Sequence, residues 1–166
     1  WQGLAGKTGD LRQVGNPAFW GLANVKYFYT NVDSLPIEGA RRVVGPVRNA
    51  AGTMVSLFEL PTAHPYAWVV PVIAKYPDAA VAEAVRAPNF PYASVALIDT
   101  ASTTAAVALT AIPAPLAIKT TVSAYAPGRA TILLVAPAPA GSALMVSESY
   151  YPGWQATVDG QPAKAE

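Results

Sequence analysis

RVVGPVRNAAGTMVSLFEL, residues 42–60, is the stretch whose reading decides the fold class. Two runs rich in Val, Leu and Phe flank Asn49-Ala50-Ala51-Gly52. β-Branched and aromatic side chains suit a pleated, half-buried surface, and the glycine supplies the positive φ that a tight connection needs. The pattern predicts a β-hairpin with arms over 42–47 and 53–60. Working back toward the N-terminus, Val25, Tyr27 and Tyr29 alternate with Lys26, Phe28 and Thr30, which predicts a strand over 24–30. Before it, residues 1–23 carry Gly3, Gly6, Gly9, Gly15, Asn16 and Pro17 and read as an irregular arm lying over the rest, anchored by Leu11, Val14, Phe19, Trp20 and Leu22.

Working forward, Ala67-Trp68-Val69-Val70 is a short strand hemmed by Pro65 and Pro71, which argues for an edge or a strand terminus. One helix is expected, over about 77–87. It is rich in Ala and Glu, Val81 and Val85 share a face, and Pro88 stops it. SVALID at 94–99 is a further strand, and the Ala/Thr/Pro-rich stretch 100–117 reads as a linker with some strand character. From Ile118 a meander is expected: 118–125, the turn Ala126-Pro127-Gly128-Arg129, then 130–135, 142–149 and 154–158. Pro then Gly at the centre of a four-residue turn suits type II. Sixteen prolines and twelve glycines spread along the chain restrict long helices. The predicted architecture is mainly β, with sandwich-like antiparallel sheets and one short helix. It divides into the arm (1–23), a β-rich part (24–99), the linker (100–117) and a meander (118–166) truncated at its C-terminus.

The 166 residues have the length of one domain, able to bury ~70% of the surface the unfolded chain would expose. Hydrophobic residues make up 52% and charged residues 13%, about half of the ~25% usual in soluble domains. Eleven basic and ten acidic residues leave a formal charge of +1, too little to steer a nucleic acid to the surface. The absence of cysteine removes disulfides, thiolate zinc sites and thiol catalysis. The chain opens at Trp1 with no basic segment leading an apolar stretch and no charge-free apolar run of ~20 residues, and so reads as a mature or cleaved piece.

Triad chemistry needs a base beside a nucleophile, and the single histidine, His64, sits between prolines with no Gly-x-Ser-x-Gly signature. It reads as a turn residue. Glu148 and Asp159 fall on adjacent predicted strands, where a carboxylate pair for glycoside hydrolysis could form, but Asp159-Gly160 is also what a hairpin turn requires. Gly3, Gly6 and Gly9 with Lys7-Thr8 lack the spacing of a phosphate loop. In SESYYPGW, Tyr150, Tyr151 and Trp154 surround Pro152-Gly153; Trp154 reads first as a core plug with the tyrosines shaping the turn. The competing reading makes Tyr150, Tyr151 and Trp154, with Tyr66 and Trp68, an interaction or glycan-stacking surface. No catalytic, metal or cofactor-binding residue is expected.

MVSESYYPGWQATVDGQPA, residues 145–163, resembles a segment near the C-terminal end of the YfhO-like family of bacterial membrane proteins, which are similar to lipid-linked glycosyltransferases. Looser resemblance covers LANVKYFYTN (22–31), the hairpin ending in Phe58-Glu59-Leu60-Pro61, PYAWVV (65–70), the short helix with Phe90, and the Tyr125-Ala126-Pro127-Gly128-Arg129 turn. Tyr66 stands where the family pattern has a basic residue, and Phe90-Pro91-Tyr92 departs from its Phe-Asp-Pro. The resemblance implies an extracytoplasmic, periplasmic, membrane-associated β domain, while the sugar-transfer residues of such proteins belong to membrane parts that this sequence does not contain. The functional expectation is a non-catalytic structural or accessory module on a bacterial membrane protein complex, with photosynthetic and respiratory complexes as candidate hosts, or on its own parent membrane protein. The alternative is a glycan-binding accessory domain of a YfhO-like lipid-linked glycosyltransferase.

Overall fold

The structure, a computed structural model, describes residues 16–61 and 65–166, apart from the side chains of Pro17 and Ala18. Among the described residues the chain is mainly β, with several small antiparallel sheets and two short helices. The predicted hairpin forms strands β2 and β3. In chain order, a helix α1 (Pro17–Leu22) leads into β1 (Tyr27–Thr30), β2 (Arg41–Arg48) and β3 (Met54–Glu59), which make a three-stranded antiparallel sheet in the order β1-β3-β2. Glu59 lies opposite Tyr27 on one side and Arg41 on the other, and its carboxylate takes Arg41 at 2.5 Å and Lys26 at 3.9 Å. β2 slips register between Arg42 and Val47, where Gly45 adopts φ 101°. A Cβ there would stand 2.6 Å from the Val55 carbonyl oxygen, so the bulge needs glycine.

β4 (Ala67–Val70) and β5 (Val72–Tyr76) are separated by Pro71 alone. Proline has no N–H with which to continue a ladder, and here the chain changes sheet. β4 runs antiparallel to β9 (Ala143–Val146), whereas β5 runs parallel to β6 (Val95–Asp99) across the helix α2 (Asp78–Arg86). This parallel βαβ unit stands beside the expected antiparallel sheets. The sequence reading assigned VIAKY, residues 72–76, to no element. α2 lies where expected: Ala87 turns extended (φ −60°, ψ 131°), as a residue preceding proline does.

The 1–23 arm is also revised from residue 16 on, because Asn16 and Pro17 are a helix start rather than loop residues. Asn16 Oδ1 accepts from the Phe19 N–H at 3.3 Å and Pro17 occupies the first turn, where its missing N–H costs nothing. Asn16 Nδ2 also donates to the Arg86 carbonyl at the end of α2, tying the two helices. The rest of the arm lies outside the described residues.

The core gathers around β4. Trp68, Val70 and Ala96 pack together, with Leu22, Ile73, Ala143 and Met145 against them; Phe19, Val55, Phe58 and Leu60 are buried as well. β4 pairs with β9 alone, in keeping with its reading as an edge or strand terminus, and is nevertheless buried at all four positions. β9 covers one side, and on the other the Thr120 hydroxyl donates to the Ala67 carbonyl.

The meander follows as β7 (Thr120–Ala126), β8 (Arg129–Leu134), β9, β10 (Ala156–Val158) and β11 (Gln161–Ala163). β7 and β8 pair through the Pro127-Gly128 turn, with Gly128 at φ 76°. At the C-terminus β11 pairs with β10 around Asp159 (φ 50°) and Gly160 (φ 79°), both in the positive-φ region that a two-residue hairpin loop favours. One edge of β10 is therefore paired, by a return strand of three residues.

Candidate functional site

Antiparallel pairing of β4 with β9 continues one step past the strands, where the Ser147 N–H donates to the Tyr66 carbonyl at 2.9 Å. That register brings Tyr66 and Glu148 together from 82 positions apart, and the Tyr66 hydroxyl donates to Glu148 Oε1 at 3.0 Å. Tyr125, at the end of β7, meets the Tyr66 ring edge-on (5.9 Å between centroids, 85°) and directs its hydroxyl to the same Glu148 oxygen at 3.5 Å. Burial first, then the hydrogen bond and negative charge of Glu148, push the Tyr66 phenol up to about 12 from its ordinary 10.0. Tyr66 therefore stays a neutral donor at physiological pH.

Two residues beyond Glu148, Tyr150 and Tyr151 are exposed. The Trp154 N–H donates to the Tyr151 carbonyl at 3.2 Å, and Gly153 at φ 108° occupies the third position of the turn. Pro152 before that glycine makes the loop the type II pattern. Trp154 is 37% exposed, which corrects its reading as a core plug; the tryptophan that fills the core is Trp68, 7% exposed, with Nε1 donating to the Tyr92 carbonyl at 2.9 Å. Of the five residues singled out from sequence, Tyr66, Tyr150, Tyr151 and Trp154 thus reach the surface or border it, and Trp68 does not. Tyr125 was missed as a site residue; its only signal was a large aromatic beside a turn.

Asp159 serves its hairpin turn, and Glu148 is engaged with Tyr66. His64 lies outside the described residues. Among the described residues, no group of three or more His, Cys, Asp or Glu side chains could hold a metal ion, and no helix is long and apolar enough to cross a membrane. A concavity of about 600 Å³ lies between β5, β6, α2 and the Ala/Thr/Pro stretch, lined by Tyr76, Phe90, Leu97, Val107 and Ile112 among others. The Val107 N–H donates to the Ile73 carbonyl at 3.0 Å and holds that stretch to β5.

The C-terminal half carries a further feature. No residue from 101 to 166 is buried. Yet this half presents Val122, Tyr125, Leu133, Val135, Leu144 and Val158 to solvent, with Tyr150, Tyr151 and Trp154 beside them in sequence. Searches against protein-family models, curated proteins and solved structures returned no match.

Proposed function

We propose that this chain is a non-catalytic extracytoplasmic structural or accessory module that docks on a bacterial membrane protein complex, or on a parent membrane protein of the YfhO-like kind, through its C-terminal meander. The observation that carries the reading is the apolar surface of residues 101–166, a segment with no buried residue of its own. Large exposed apolar areas mark interaction surfaces, and each fully covered aliphatic or aromatic side chain contributes about 1.5–3 kcal/mol. Between residues 100 and 147 the only charges are Lys119 and Arg129, so a partner face carrying a few carboxylates complements it. A photosynthetic or respiratory complex is the kind of host this reading has in view.

The test is co-purification from detergent-solubilised membranes of the source cell. A defined membrane protein is expected to accompany the tagged chain, and the Tyr151→Ala/Trp154→Ala variant is expected to lose it while keeping the wild-type melting temperature. Retention of the partner by that variant, or no partner at all, counts against the proposal.

The arrangement of Tyr66, Tyr125 and Glu148 favours a second reading, a glycan-binding accessory domain. A carboxylate between two phenols, close in sequence to exposed rings, offers hydrogen-bond acceptance and stacking together. Retention on a polysaccharide column that is lost on Tyr125→Ala and Glu148→Gln is the result that selects it.

A further inference from the structure

β8 is an edge strand without the usual protections. Among the described residues it pairs with β7 alone. Residues 130–135, Ala-Thr-Ile-Leu-Leu-Val, contain neither charge nor proline, the two features with which natural proteins blunt open edges. Leu133 is 56% exposed and Val135 67%.

The hydrogen-bond alternation shows which backbone groups face outward. Ala126 pairs with Arg129 across the two-residue turn, and at the far end the Val135 N–H donates to the Lys119 carbonyl at 3.0 Å. In an antiparallel ladder every second residue turns its N–H and C=O to the partner and the residues between turn theirs away. The bulge of β7 between Val122 and Ala124 adds its extra residue on β7, so the alternation along β8 is kept. Arg129, Thr131, Leu133 and Val135 therefore face β7, and Ala130, Ile132 and Leu134 face the open edge. No backbone hydrogen bond from another described segment reaches these three.

We propose that β8 pairs antiparallel with β8 of a second copy of this chain, with Ile132 on the two-fold axis. The outward positions are evenly spaced about Ile132. Self-pairing therefore sets Ile132 against Ile132 of the second copy and Ala130 against its Leu134, so every outward N–H and C=O meets another outward group. The pattern is complementary to itself, as an isologous two-fold contact requires. Charge agrees: Arg129, the only charged residue of β8, falls opposite Val135 of the second copy. The two guanidinium groups then stand six strand positions apart, roughly 20 Å, beyond the screening length of about 8–10 Å. Parallel pairing would place them side by side. The product is a four-stranded sheet in the order β7-β8-β8-β7, and it forms independently of any docking on a membrane partner.

The test uses the chain as it is. Sedimentation equilibrium is expected to give a concentration-dependent mass approaching twice 17.3 kDa. Ile132→Pro, which removes an outward N–H and no bond to β7, and Ile132→Lys are both expected to sediment as monomers with an unchanged far-ultraviolet spectrum. Because the chain has no cysteine, Ile132→Cys introduces a unique thiol. A hydrogen-bonded self-pair places its two Cα atoms about 5.5 Å apart, inside the range that a disulfide spans, so mild oxidation should cross-link this variant and leave Leu144→Cys monomeric. Three results each overturn the proposal: a wild-type chain that stays at 17.3 kDa at every concentration, a dimer that survives both Ile132 substitutions, or cross-linking of Leu144→Cys as fast as Ile132→Cys.

Discussion

Two glycines with nearly the same sequence signal carry different weights. Gly128 sits in an open turn at φ 76° with nothing within 4 Å of the place a Cβ would occupy, so Gly128→Ala is expected to cost about 1–2 kcal/mol of backbone strain alone. At Gly45 the same strain is joined by a clash of the new Cβ with the Val55 carbonyl oxygen at 2.6 Å and with Ser56 at 2.9 Å, atoms of the neighbouring strand. Overpacking of that kind adds about 1–3 kcal/mol, and urea midpoints should rank Gly45→Ala well below Gly128→Ala. Tyr66 supplies a pH dependence. Its phenol is raised from 10.0 to about 12, so the native state favours the neutral form; that stabilisation is complete below pH 10 and is lost as the pH rises from 10 toward 12. Spectrophotometric titration should show a late-ionising tyrosine that Tyr66→Phe removes, and the variant's stability should fall less steeply over that interval. Tyr66 and Glu148 were each visible in the sequence, one as a departure from a family pattern and the other as a strand carboxylate. Their contact was not, because it depends on which strands pair.

At the scale of elements, α1 has six residues, too short to persist on its own helical propensity. It depends on Asn16, whose side chain caps α1 and donates to the last residue of α2. Asn16→Ala should lose about 1 kcal/mol for the cap and about 1 kcal/mol for the second hydrogen bond. Asn16→Asp keeps the accepting oxygen and loses the donor, so its melting temperature should fall between those of wild type and Asn16→Ala. The hairpin of β2 and β3, helix α2 and the two tight turns at Pro127-Gly128 and Asp159-Gly160 were legible, since local sequence alone specifies turn chemistry and periodicity. β5 was not, because a five-residue run between prolines gains its identity only from the parallel partner that lies 23 positions along the chain.

For the whole molecule, burial is uneven. The buried residues of the described chain all lie between Asn16 and Ala96, and none lies in the last 66 positions. Amide hydrogen exchange of the isolated chain should therefore protect β3, β4 and β6 most and let β10 and β11 exchange within the dead time, because opening a segment with few buried apolar contacts costs little. Equal protection across both halves would contradict the uneven core. Sequence by itself determined that the chain is mainly β, that its helices are short, and where its tight turns fall, because proline, glycine and hydrophobic alternation act over a few residues. It also determined that no cysteine chemistry is present. Only the tertiary structure decided that Trp68 rather than Trp154 fills the core, that β5 and β6 run parallel, that the C-terminal hairpin closes on itself, and that β8 keeps one unpaired edge free of charge and proline. Each of those outcomes depends on which distant segment takes a neighbouring place, and a side chain's burial or a strand's free edge is set by that neighbour rather than by the residues beside it in the chain.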